Sequence, residues 1–204
     1  MVELPKQHNY ELAFSKGLEK ARTVSAEDLL KLGVERARDG TLKLRVLESA
    51  FVLDLNAGSV TLADGGVVHV SWTILALHYL ISAIDSIDVD PSIGFAQMPD
   101  GMGYVMPYQG RVIQRFLHTA GRSEAAFREA ARKLSGEAVH AGDAGYRFAV
   151  FPTFPVTVIW HAGDEELPSG ATMLYTADAD KRFSVEDIVV MSELLVGRLS
   201  GKGW

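Results

Sequence analysis

The stretch from Tyr146 to Asp187 constrains the fold more than any other part of the chain. It reads YRFAVFPTFPVTVIW, then HAGDEELPSG, then ATMLYTADADKRFSVED. Two runs rich in β-branched and aromatic residues flank a short acidic connector, so Val156–Trp160 and Ala171–Tyr175 are expected to pair as a hairpin. A helix follows at once. Ser184 and Asp187 occupy the positions of a reciprocal cap, and Phe183 can staple onto Ile188. The expected buried stripe of that helix is Ile188, Met191, Leu195 and Leu199, with Gly201 as its stop.

Upstream, Asn9 can cap a helix whose apolar positions are Tyr10, Ala13, Phe14, Gly17, Leu18 and Ala21. Ser25 to Asp28 opens a second helix, with Gly33 suited to a left-handed end, and the two read as an antiparallel pair. From Thr41 the period becomes two. Leu42, Leu44 and Val46 alternate with charged residues, and Phe51, Leu53 and Leu55 continue the pattern. Asn56-Ala57-Gly58 and Asp64-Gly65-Gly66 then separate the runs Ser59–Leu62 and Val67–Val70, which predicts a β-meander. Ser71 is the expected cap of an all-round apolar helix, Trp72–Ile84. A short strand is expected over Gly94–Met98. Two helices then follow, Gln109–Ala120 and one capped by Ser123 that stops at Gly136.

Helices and strands are grouped rather than alternating, so the expected class is α+β: an N-terminal helix pair, an antiparallel meander, a central buried helix, two mid-chain helices, and a C-terminal hairpin and helix. At 204 residues the chain suits a single domain spanning residues 1–204. It has no cysteine, which excludes disulfides, thiolate zinc sites, cysteine-ligated iron–sulfur clusters and cysteine nucleophiles. The net charge of −6, with no run of Lys or Arg, lacks the footprint of a nucleic-acid binder. No secretory signal opens the chain, and its apolar runs are too short to span a bilayer. The expectation is a soluble, cytoplasmic protein that binds neither nucleic acid nor membrane.

The acidic connector is the first candidate site. His161 precedes Asp164, Glu165 and Glu166, and adjacent carboxylates in a turn repel one another unless something cationic answers. Three readings stand: a solvated loop with Asp164 making a turn bond, a structural ion pair, or a hard-cation or catalytic site with His161 as ligand or base. Asp178 and Asp180 have D-x-D spacing but lack the rest of a calcium loop. His78 reads as a core histidine. No Walker or dinucleotide spacing and no nucleophile elbow occurs. The aromatics Tyr104, Tyr108, Phe151 and Trp160 are the candidate lining of a pocket, and Pro152 and Pro155 suggest an irregular or edge strand beside it.

Gly142-Asp143, Val150-Phe151-Pro152, Gly163 to Pro168 and Ser184 to Asp187 together resemble the DUF3786 family, a prokaryotic domain of unknown function. The N-terminal helix pair, the meander and the terminal Leu194 to Leu199 fit as well, so the likeness covers nearly the whole chain. The resemblance implies a protein of anaerobes with no established activity. In some members an added cysteine-rich iron–sulfur module points towards corrinoid or one-carbon metabolism. This chain departs from that pattern in having no cysteine, in Leu167 where an aromatic is common, and in Thr176 where an Asp is expected. Three functions are therefore expected to compete. The first is a non-catalytic accessory module that binds a cofactor, a small molecule or a partner protein of unknown identity. The second is a metal-assisted hydrolase or lyase using Asp164 and Glu166 with His161. The third is a structural or oligomerisation domain whose exposed edge pairs with another chain.

Overall fold

The computed structural model describes the backbone from Pro5 and the side chains from Tyr10 to Trp204. The architecture is α+β, and the chain divides into two compact units, residues 1–87 with Trp204, and residues 88–203.

The first unit opens with α1 (Pro5–Ala21) and α2 (Ala26–Lys31). The first helix begins four residues before Asn9, so Asn9 lies within it and is not its cap; the Asn9 side chain is outside the described residues. Ser25 does cap α2, accepting the Asp28 backbone N–H. A four-stranded antiparallel sheet follows: β1 (Glu35–Arg36), β2 (Leu42–Val46), β3 (Ser49–Asp54) and β4 (Ser59–Leu62), in that spatial order. The alternation read from the sequence is the alternation of burial, with Leu42, Leu44 and Val46 inward and Lys43 and Arg45 outward.

Beyond β4 the strand expected over Val67–Val70 is reduced to one bridge, Thr61 to Val67. Val70 instead starts α3 (Val70–Leu80), and its cap is His69, not Ser71, because the His69 ring accepts the Ser71 backbone N–H. The helix is buried on nearly every side. It meets α1 where Gly17 leaves room: a Cβ there would stand 3.3 Å from Leu77 Cβ. Trp204 completes the core of this unit, its ring 5.1 Å from Phe51 and 5.3 Å from Trp72.

The second unit is built on a five-stranded antiparallel sheet. Its strands are β5 (Pro91–Gly94), β6 (Glu137–Val139), β7 (Ala144–Phe151), β8 (Phe154–His161) and β9 (Gly170–Thr176), in the order β5-β9-β8-β7-β6. The expected hairpin is present as β8 and β9, with Trp160 opposite Ala171. The apolar run before it is not one strand: Pro152-Thr153 turns the chain, and β7 folds back on β8. Pro155 therefore lies in the central strand rather than at an edge. It sits where the pairing slips between Ala149 and Phe151, so the missing N–H falls at an irregularity of the ladder.

The expected strand over Gly94–Met98 is shorter and earlier, and Phe95–Gln97 winds into a helical turn instead. The expected helix over Gln109–Ala120 starts sooner and is composite. It runs as α4 (Val105–Tyr108), a π-helical segment (Gln109–Gln114) and α5 (Arg115–His118). Then come α6 (Glu124–Lys133), capped by Ser123, a short α7 (Ala179–Arg182) and α8 (Val185–Leu199). Both halves of the Ser184–Asp187 capping box form. The predicted stripe of α8 is buried, and so are Val189, Ser192 and Val196, because this helix is covered by both α6 and the π segment.

Candidate functional site

The acidic turn is closed by its own backbone. Asp164 Oδ1 accepts the N–H groups of Glu166 at 2.9 Å and Leu167 at 2.8 Å, while the Asp164 N–H donates to the Leu167 carbonyl at 2.9 Å. Those two amides hold the Asp164 carboxyl below its ordinary range. Gly163 is required by the tightness of the loop, since a Cβ there would fall 2.6 Å from the Ser169 nitrogen. His161, Glu165 and Glu166 are exposed, and among the described residues none of their side chains forms a hydrogen bond or ion pair with another side chain. Among the described residues, no three His, Asp or Glu side chains are placed to share a metal ion.

The Gly142-Asp143 pair braces this turn from behind. The Asp143 carboxylate accepts the Ala162 N–H at 2.7 Å, and its own N–H donates to the Trp160 carbonyl at 3.0 Å. Gly142 adopts φ 58°, with Ile159 and the Trp160 carbonyl so close that a Cβ would come within 2.6 and 2.7 Å of them. A hollow of about 430 Å³ opens along Ala138–Gly145 beside Arg128. Its guanidinium is already engaged by Glu124 at 2.7 Å and the Asp143 carbonyl at 2.8 Å, so the hollow offers a ligand mostly backbone.

Of the candidate pocket aromatics, Phe151 and Trp160 lie at opposite ends of the β7–β8 pair. Phe151 is buried against Phe183 at the turn end of β7, six residues along β8 from Trp160, a separation of roughly 20 Å. Trp160 donates its indole N–H to the Gly121 carbonyl. Tyr104 is half-buried, and the Glu186 carboxylate hydrogen-bonded to it raises its pKa. Asp178 and Asp180 are likewise separated: Asp178 is buried, accepts the Asp88 N–H at 2.9 Å and stands 3.9 Å from Arg182, whereas Asp180 is exposed on α7.

Tyr108 borders a cleft. It stacks on Phe95 with ring centres 4.1 Å apart. Beside this pair lies the cleft, of about 220 Å³, bounded by the helical turn at Phe95–Gln97, by Tyr108, Gln109 and Ile113, and by Thr172 and Met173 on β9. Beneath it runs a buried chain of hydroxyls. Tyr108 Oη and Tyr175 Oη are 2.9 Å apart, Tyr175 Oη and Ser192 Oγ 2.6 Å, and Ser192 donates to the Ile188 carbonyl at 2.6 Å. A carbonyl only accepts, so the chain has one direction: Tyr108 donates to Tyr175, which donates to Ser192. Burial pushes Tyr108 well above its usual pKa and Tyr175 up to about 12.

The wall of the cleft is the π segment, a helical form that concentrates at functional positions. Arg111 fastens it to α8, with Nε 3.0 Å and Nη2 2.9 Å from the two Glu193 oxygens, and Glu186 3.3 Å away. These carboxylates raise its pKa further, chiefly through the Glu193 hydrogen bond. The sequence pattern missed Arg111, Glu193, Tyr175 and Ser192. The available signal was Ser192 itself, a polar residue four positions after Ile188 on an apolar stripe.

No described helix is long and apolar enough to cross a membrane. Comparison with curated proteins gives no match, and neither does comparison with solved structures. The family model for a domain of unknown function, DUF3786, matches residues 26–198, a span that includes both sheets, the acidic turn and the cleft, and the chain belongs to that family.

Proposed function

We propose that the second unit is a non-catalytic binding module, an accessory protein that receives an uncharged, apolar group in the cleft beside Phe95 and Tyr108. The observation that carries this reading is the lining. It contains no Asp, Glu, His, Lys or Arg, and its one ionisable group, the Tyr108 hydroxyl, stays protonated through burial. Acid–base catalysis needs a group that titrates near the working pH. A cavity without one holds its occupant and releases it unchanged.

Size narrows the occupant. At about 220 Å³ the cleft falls below the roughly 300–1,000 Å³ of pockets for drug-sized ligands, so it suits a side chain or a fragment of similar bulk. A whole corrinoid, flavin or haem is too large for it. A link to corrinoid or one-carbon metabolism would therefore run through docking on another protein. The neighbouring surface fits that use, because Met102 and Met106 are 71% and 80% exposed just before and within α4. Flexible, polarizable thioethers adapt to apolar partners of varied shape.

The test is methyl NMR of the protein titrated with uncharged aromatic and aliphatic fragments. Signals of Ile113 and Met173 should move, and Thr172→Trp, which fills the cleft from an exposed strand position, should abolish the response. A fragment library that leaves both methyls unmoved in the unsubstituted protein would refute the reading.

A further inference from the structure

The cleft and the acidic turn share a strand. Gly170, the first residue of β9, pairs with His161, and the next two residues, Ala171 and Thr172, belong to the cleft. The loop between His161 and Gly170 carries Asp164, Glu165, Glu166 and Leu167, which is 67% exposed. Glu166 precedes Ala171 by five residues, so even fully extended chain would hold them no more than about 17 Å apart. Asp164 is occupied in the turn, but Glu165 and Glu166 make no ion pair with any described cation. Arg111, on the same π segment as Gln109 and Ile113 but outside the lining, is already shared by Glu193 and Glu186.

Resting on the reading of the cleft as a binding site, we infer that its partner is a cationic amphipathic segment of another protein. One apolar side chain enters the cavity, Met102 and Met106 cover its apolar flank, and neighbouring Lys or Arg side chains meet Glu165 and Glu166. Two adjacent exposed carboxylates repel each other, and a cation brought to them relieves that repulsion while setting the orientation of approach. An anionic segment would meet three like charges on the loop and be turned away.

The experiment uses two fluorescently labelled peptides of about 14 residues, near the shortest length at which an isolated helix is marginal. Both carry one Leu/Phe face; one has Lys on its polar face and the other Glu. The Lys peptide should bind, move the methyl signals of Met102 and Met106, and weaken as salt is raised. Glu165→Gln and Glu166→Gln should each lower its affinity about two- to fivefold, the range for exposed charge pairs. These loop substitutions leave the core untouched. Equal binding of the Glu peptide, or an unchanged affinity in the double Gln variant, would overturn the inference. If the Lys peptide fails while uncharged fragments still move Ile113 and Met173, the cationic partner is refuted and the cleft reading survives. If peptides and fragments both fail, both are refuted.

Discussion

Trp160 donates its indole N–H to the carbonyl of Gly121 at 2.8 Å, in a buried contact that joins the central strand to the turn between α5 and α6. Gly121 has no room for a side chain, since a Cβ would come 2.5 Å from the ring of Phe116. The turn is therefore pressed onto the aromatic core, and among the described residues the donor to its carbonyl is the Trp160 indole.

Trp160→Phe should keep much of the apolar packing and leave that carbonyl buried without its donor. The expected loss is about 1–3 kcal/mol, the cost of an unsatisfied buried acceptor, with a small addition for the lost ring volume. Urea denaturation followed by far-ultraviolet circular dichroism measures it. An unchanged midpoint would mean that the indole bond contributes nothing.

The direction of the hydroxyl chain makes an asymmetric prediction. Tyr108→Phe removes a donor from Tyr175, whose own O–H still reaches Ser192, so the loss should be that of one ordinary hydrogen bond, about 0.5–1.5 kcal/mol. Ser192→Ala removes the acceptor of Tyr175 and strands a buried O–H, whose nearest substitute, Met173 Sδ at 3.9 Å, is a weak one. The second substitution should be the more damaging, and the reverse order in denaturant melts would disprove the assigned direction.

The same tyrosines predict alkaline behaviour. Both have folded pKa values above the unfolded value of about 10. A raised pKa on an acid that is neutral when protonated contributes stability below the unfolded pKa. That contribution declines as pH rises from about 10 towards the Tyr175 value of about 12. Ultraviolet titration should show that at least Tyr108 and Tyr175, of the six tyrosines, ionise only with unfolding. Titration of all six near the ordinary value, with the fold intact, would contradict this.

Asp164 should matter locally. Its carboxyl is held low by the Leu167 and Glu166 amides, so its contribution is present above the unfolded pKa and is lost as pH falls through the lowered folded value. Asp164→Ala should speed hydrogen exchange at the Glu166 and Leu167 amides and leave the thermal midpoint of the exposed-loop protein nearly unchanged. A cooperative drop in midpoint would show that the turn is part of the core after all.

What could be read from the sequence was what neighbours in the chain decide. The Ser25, Ser123 and Ser184 caps and the alternation of β2 depend on residues two to four positions apart, and they form as expected. The turn at Pro152-Thr153 was hidden because the apolar run continues through it, and nothing local marks Pro155 as central rather than peripheral. His69 was overlooked as a cap because its ring acceptor lies outside the usual Ser, Thr, Asp and Asn set. The cleft had no local signature at all. Its walls come from residues near 95, 110 and 172, brought together only when β9 enters the sheet next to β5.

Gly142 offers a final test of the brace behind the acidic turn. Gly142 and Gly201 both have positive φ, 58° and 80°, and both belong to the second unit. Nothing lies within 4 Å of a Cβ placed at Gly201, so Gly201→Ala should cost only the left-handed backbone, about 1–2 kcal/mol. At Gly142 the same methyl would also overlap Ile159 Cγ2 and the Trp160 carbonyl, the group that accepts the Asp143 N–H. Relief requires the loop to move off β8, which loosens the Asp143 bond to Ala162 as well. Gly142→Ala should therefore cost at least twice as much as Gly201→Ala in chemical denaturation, and should raise exchange at the Ala162 amide where Gly201→Ala does not. Equal costs at the two positions would show that the loop yields freely, and that Asp143 does not hold the acidic turn in place.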